Sequence, residues 1–262
     1  MNLIQKLTLL VAVLAGISAF SCSEDILLPD LKGSLVGYAY TFDEYADLLE
    51  DHSGVLVSAL GLSETFKTHT NAQGRFEFKD LPAGTYELHV EKQGFGTLKQ
   101  FGIKHLGGKP TTLYLDFSGS SNSVACFIYE MPTTQIVNLS IENDTLTGTF
   151  AFSGEQPESL DLLIYLSDEP DFVTQNATFR AERTLWNTNG KFQYPFFYGT
   201  ILPFQPGENV YFRARICNRE EIIVDFNRYI LGISSYFDIE SNLTVYPNAG
   251  NESAQFSFIY PE

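Results

Sequence analysis

Basic residues are scarce in this chain. Its 262 residues hold 16 Lys and Arg against 32 Asp and Glu, a net charge of −16. Nucleic-acid binding needs cations to neutralise phosphate, and adhesion to anionic lipid needs a basic patch, so the composition argues against both. Histidine is equally sparse: His52, His69, His89 and His105 are the full set. None begins an H-x-x-E or H-x-x-x-H, which removes the usual zinc-hydrolase patterns. There is no G-x-S-x-G elbow. Gly102–Lys109 misses the G-x4-G-K spacing of a phosphate loop and is not expected to lead into a helix. Distant residues can still assemble a triad, so missing motifs lower the case for catalysis without closing it. A long amphipathic helix is absent from the pattern, and the two halves share no internal repeat. No cofactor is implied.

Long apolar runs are also missing. The apolar run near the start, Leu7–Phe20, carries no charged residue, follows Lys6 and falls short of the roughly 20 residues a membrane-spanning helix needs. It ends at Ser21-Cys22 and is followed by Ser23-Glu24-Asp25. A basic flank, a short apolar core and a small residue before the break read as a cleaved secretory signal, residues 1–21. The segment resembles bacterial lipoprotein signals of the Bacteroidetes type, with Ala19 and Phe20 at the variable positions before the cysteine. The resemblance implies lipid on Cys22, an outer-membrane anchor and exposure at the cell surface. Two acyl chains already give a stable anchor at roughly 0.8 kcal/mol per buried methylene. Removing residues 1–21, with Lys6 their one charge, takes the net charge from −16 to −17. With Cys22 lipidated, Cys126 and Cys217 remain; they are read as two buried thiols, with a bridge between them as the alternative.

What the chain does have is β pattern. After a tether, residues 22–31, strands are expected at Gly33–Tyr40, Gly54–Leu60 and Glu64–Thr70. Phe76 and Phe78 alternate with Arg75, Glu77 and Lys79; Tyr86, Leu88 and Val90 alternate with Thr85, Glu87, His89 and Glu91. That period of two buries one face. His69 and His89 then fall on exposed faces. Turns are expected at Asn71–Gly74 and Leu81–Gly84, with both glycines free to take positive φ. Further strands fit Thr97–Ile103, Thr111–Phe117 and Val124–Glu130. Beyond Pro132-Thr133-Thr134, strands fit Ile136–Glu142, Leu146–Phe152, Leu160–Ser167, Phe192–Thr200, Glu208–Cys217 and Ala254–Tyr260. Asp168–Asp171 reads as a turn. The expected fold class is all-β: two tandem β-sandwich domains, residues 32–131 and 132–262.

The order Gly54-Val55, Thr68–Phe78, Leu81–Leu88 and Lys92–Phe95 resembles the carboxypeptidase regulatory-like domain. That resemblance implies a transthyretin-like (prealbumin-like) sandwich of about seven strands over residues 32–131, without zinc or catalytic residues. Val210–Ile216 is similar to a late strand of a fibronectin type III or immunoglobulin-like sandwich, which implies that architecture for residues 132–262.

Three places invite a sharper reading. Asp43–Asp51 could place Tyr45, Leu48 and Leu49 on one side of a helical turn and its carboxylates on the other. It is read as a solvated acidic loop, with calcium the alternative; the spacing is not that of a preformed calcium loop. Trp186, Tyr194 and Phe197 could form an aromatic ligand platform, or half of the aromatic run could be core, with a bulge or edge at Pro195. Asp144-Thr145-Leu146 resembles a short O-glycosylation signal, with Thr145 the acceptor. The functional expectation is a non-catalytic, membrane-anchored surface lipoprotein that binds an envelope protein or a glycan. A structural subunit of a surface fibre or transporter assembly and a polymer hydrolase are the alternatives. With a short tether, the first sandwich lies near the membrane and the second presents the partner site.

Overall fold

Alternation of apolar and polar side chains is what builds this molecule, and the computed structural model follows it through twenty strands. Residues 31–113, 126–142, 145–154, 159–186, 191–195, 202–217, 219–225, 228–233, 236–247 and 249–260 are described. Among them the one helical piece is a single 3-10 turn, Thr174–Asn176.

Among the described residues the first half carries eight strands, as its alternation pattern predicts and against the seven or so that the family resemblance implies: β1 (Lys32–Phe42), β2 (Leu56–Leu60), β3 (Thr65–His69), β4 (Arg75–Pro82), β5 (Gly84–Glu91), β6 (Leu98–His105), β7 (Thr111–Thr112) and β8 (Cys126–Tyr129). One sheet runs β4-β1-β7, with β8 also paired to β1; the other runs β3-β2-β5-β6. Leu35, Val57, Phe76, Phe78, Leu81, Leu88, Val90, Ile103 and Ile128 fill the space between them. Tyr86, Leu88 and Val90 point inward as their alternation requires.

Two local features depart from the expected pattern. Gly74 takes φ +77°, but Gly84 does not adopt a positive φ; it opens β5 as extended backbone. The left-handed residue in that region is Asp80, at φ +53°. Gly33 pairs with Leu81 and Leu35 with Phe78, so β4 has one residue more than β1 across the shift. This bulge turns both Phe78 and Leu81 into the core, where strict alternation would have put Leu81 outside.

The second half contains β9 (Gln135–Glu142), β10 (Thr145–Ala151), β11 (Ser159–Ser167), β12 (Phe179–Trp186), β13 (Lys191–Pro195), β14 (Asn209–Cys217), β15 (Arg219–Asp225), β16 (Arg228–Ile233), β17 (Tyr236–Asp238), β18 (Leu243–Val245), β19 (Ala249–Glu252) and β20 (Phe256–Ile259). A three-stranded sheet, β13-β10-β9, faces a five-stranded one, β12-β11-β14-β19 with β20 also on β14. Leu139, Leu146 and Phe150 from the first meet Leu162, Ile164, Leu166, Phe212, Ala214 and Ile216 from the second. Pro195 ends β13, an edge strand among the described residues, the place in a sheet where proline is tolerated. Asp168–Asp171 is a turn, with Asp171 at φ +57°.

Separate cores notwithstanding, Lys32–Glu262 is one compact unit. The β17–β18 hairpin lies against the first sandwich. Lys99 on β6 donates to Asp238 at 3.1 Å, and the Phe101 and Tyr236 rings approach to 6.3 Å. This packing covers part of the outer β5–β6 face. His89, expected on an exposed face, is half-buried against Glu87; His69 is exposed.

Candidate functional site

The site is built from the outer face of the five-stranded sheet. β11 is buried along its whole described length from Leu160 to Ser167. Leu162, Ile164 and Leu166 serve the sandwich core, so Leu163 and Tyr165 need a second cover. Register lines up Arg180, Tyr165 and Arg213 in one row across β12, β11 and β14, and Glu182, Leu163 and Arg215 in the next. The segment around β18 and Tyr246 closes over these rows.

Two contiguous lobes remain open there, of about 410 and 350 Å³, and both are lined by Tyr165, Arg180 and Tyr246. Each falls in the range of roughly 300–1,000 Å³ seen for ligand pockets. Glu182 and Arg183 line the first, and Thr174, Gln175 and Arg215 line the second. The Tyr246 hydroxyl donates to Glu182 Oε1 at 2.7 Å and spans the groove. Burial, and then that carboxylate, push the Tyr246 phenol up. Burial pushes the Tyr165 phenol up to about 12. Both rings are therefore neutral hydrogen-bonding surfaces at any physiological pH.

The arginines divide into two kinds. Arg213 donates to Glu252 Oε1 at 2.5 Å and Arg215 to Glu252 Oε2 at 2.9 Å. Burial alone would raise the Glu252 carboxyl, but the bonds from Arg213 and Arg215 outweigh it and hold it below its ordinary value. Arg180 is different. Its Nη2 donates to the Gln175 carbonyl at 2.7 Å, and its guanidinium stands over the Tyr165 ring, 6.0 Å from the centroid.

The histidines contribute nothing to this groove. The buried His52 accepts the Thr41 amide on Nδ1 at 3.1 Å, and burial lowers its pKa. The buried His105 donates from Nε2 to the Leu81 carbonyl at 3.1 Å and bonds the Thr111 hydroxyl through Nδ1. Both brace the first sandwich. The acidic loop also has local work. It forms a turn with Ala46 at φ +69° and a bridge from Phe42 to Leu48, not the helical turn its spacing suggested. Asp43 accepts the Tyr45 and Asp47 amides, and Asp51 accepts the Ser53 amide. Glu44 accepts the Thr133 amide at 2.6 Å and its hydroxyl at 2.7 Å, tying the loop to the start of the second half. Among the described residues, no group of three or more His, Cys, Asp or Glu could hold a metal ion.

Of the residues singled out from sequence, Cys22 and Phe197 lie outside the described residues. Trp186 ends β12 opposite Ser159, whereas Tyr194 lies on β13 opposite Leu146, in the other sheet. Thr145 opens β10 and is half-buried. Cys126 and Cys217 are free buried thiols in different clusters. Burial pushes Cys126 up to about 12 and raises Cys217 as well. The groove residues Tyr165, Arg180, Glu182, Arg215 and Tyr246 were missed. One signal could have found them: Leu160, Leu162, Leu163, Ile164, Tyr165 and Leu166 break the alternation, as a strand covered on both faces does.

Residues 51–118 match the family model of the carboxypeptidase regulatory-like domain. The match falls inside the first sandwich, and β1 and β8 of that sandwich lie beyond it on either side. A Bacteroides uniformis protein proposed to bind carbohydrate is similar over 88% of this chain and 100% of its own, with 11% identity and a TM-score of 0.27. A DUF3823 family protein from Bacteroides ovatus is similar over 87% and 98%, with 13% identity and a TM-score of 0.26. A chain of a type II cohesin–X–dockerin complex from Acetivibrio cellulolyticus is similar over 38% of this chain and 58% of its own, with 20% identity and a TM-score of 0.28. No curated protein matches the chain. The carboxypeptidase regulatory-like domain carries all four histidines, between His52 and His105, so the groove beyond it has no imidazole base.

Proposed function

We propose that the protein is a non-catalytic binding module, held at the outer membrane by lipid on Cys22, that takes a saccharide in the groove between β12 and Tyr246. The carboxypeptidase regulatory-like domain is its membrane-proximal support, and the sandwich from residue 132 onward presents the ligand. The observation that carries this reading is the groove lining: Tyr165 and Tyr246, the guanidinium of Arg180, the carboxylate of Glu182, the Thr174 hydroxyl and the Gln175 amide. Aromatic surface with a few convergent donors and acceptors matches a ligand that is apolar on its ring faces and hydroxylated at its rim. No nucleophile beside a base is aimed into the groove among the described residues, which favours binding over hydrolysis.

The test is a glycan array read with the soluble protein lacking residues 1–22, followed by calorimetry on the glycans retained. Tyr246→Ala removes one wall and the bond to Glu182; affinity is expected to fall about tenfold or more, a loss of roughly 1.4 kcal/mol. Silence of the wild-type protein on the array, or unchanged affinity of the variant, sinks the saccharide reading.

A further inference from the structure

We infer that the groove selects an acidic saccharide, whose anionic substituent, carboxylate or sulfate, pairs with Arg180. This rests on the reading of the groove as a saccharide site. The chain as a whole carries a net charge of −16, yet arginines outnumber acids in the lining, where Arg180, Arg183 and Arg215 meet the single carboxylate of Glu182. An acidic protein repels anions in general, so a cationic groove on it is a local exception that gives direction to an incoming charge.

The pairing pattern names the residue. Arg215 shares Glu252 with Arg213, and Glu182 is engaged by the Tyr246 hydroxyl. Arg180 has no carboxylate partner among the described residues; its one protein acceptor is the Gln175 carbonyl. A guanidinium has five N–H groups, so a two-toothed fork for a carboxylate or sulfate is left over. Its position over the Tyr165 ring supports the guanidinium without consuming those N–H groups. Arg180 also sits on β12, an edge strand, and lines both lobes, so a ligand spanning the groove passes it in either direction.

The experiment compares uronate-containing, sulfated and neutral oligosaccharides of matched length on the wild-type protein, Arg180→Gln and Arg180→Lys. Acidic ligands are expected to bind the wild type at least about tenfold more tightly than neutral ones. Arg180→Gln is expected to erase that preference, lowering affinity for acidic ligands at least about tenfold more than affinity for neutral ones. Arg180→Lys keeps the charge but loses the fork, and is expected to restore only part of it. The uronate and sulfate arms tell which anion is read. Raising the salt concentration is expected to weaken acidic binding alone. Equal binding of neutral and acidic sugars, or a preference that survives in Arg180→Gln, overturns the inference and leaves the saccharide reading standing. Absence of binding to any of them overturns both.

Discussion

Gly74 and His52 show how much of the first sandwich depends on single residues. Gly74 has φ +77°, and a Cβ there would lie 2.4 Å from the Ala39 carbonyl oxygen. Its own carbonyl accepts the Ala39 amide at 2.9 Å, so the turn cannot move away without breaking that bond. Gly94 has φ +83° but nothing within 4 Å of the same position. Gly74→Ala is therefore expected to cost about 1–3 kcal/mol in urea denaturation, and Gly94→Ala distinctly less. Equal costs would mean that backbone conformation alone, and not the close approach, requires glycine at 74. His52 predicts a pH dependence. Burial lowers its folded-state pKa below the ordinary 6.5, so the stability it supports is whole above 6.5 and is lost as pH falls through the lower folded value. The melting temperature is expected to drop between about pH 7 and 5. His52→Asn, which keeps an acceptor near the Thr41 amide and cannot titrate, is expected to flatten that drop.

At the scale of elements, the inward faces of β4 and β5 were legible because alternation is local: Phe76, Phe78, Tyr86, Leu88 and Val90 are all buried. Leu81 was not, because the bulge at Asp80 shifts the phase by one residue, and only pairing with β1 reveals it. β12, with the sequence Phe-Arg-Ala-Glu-Arg-Thr-Leu-Trp, went unread because an edge strand with charged alternate residues looks like loop. The β17–β18 hairpin went unread for its brevity, yet it links the two sandwiches. Burial opposes the charge on Lys99, but the bond and charge of Asp238 outweigh it and raise the ammonium's pKa; the same pair holds Asp238 low against its own burial. Asp238→Ala is expected to loosen the hold of the hairpin on β6. Faster amide hydrogen exchange at Phe237–Val245 and along β6, with β2 unchanged, would show it. Unchanged exchange at the hairpin would mean that Tyr236 packing alone holds it.

For the whole molecule, the proposed anchor and the proposed ligand site can be separated by one substitution. Wild-type protein is expected in the membrane fraction, and Cys22→Ser in the soluble fraction with glycan binding intact. Retention of the Cys22→Ser protein on the membrane would remove both the anchor and the order of sandwiches along it. The sequence by itself determined the all-β class and the buried faces of β4 and β5, since each rests on the alternation of neighbours along one strand; its likeness to the regulatory-like domain came from the turn motifs between residues 54 and 95. Only the tertiary structure decided where the groove lies. Tyr165, Arg180, Arg215 and Tyr246 are far apart along the chain, and strand register across β12, β11 and β14 together with closure by the segment around Tyr246 brings them to one groove. No local pattern encodes that register, because it is fixed by the packing of the sandwich core beneath it.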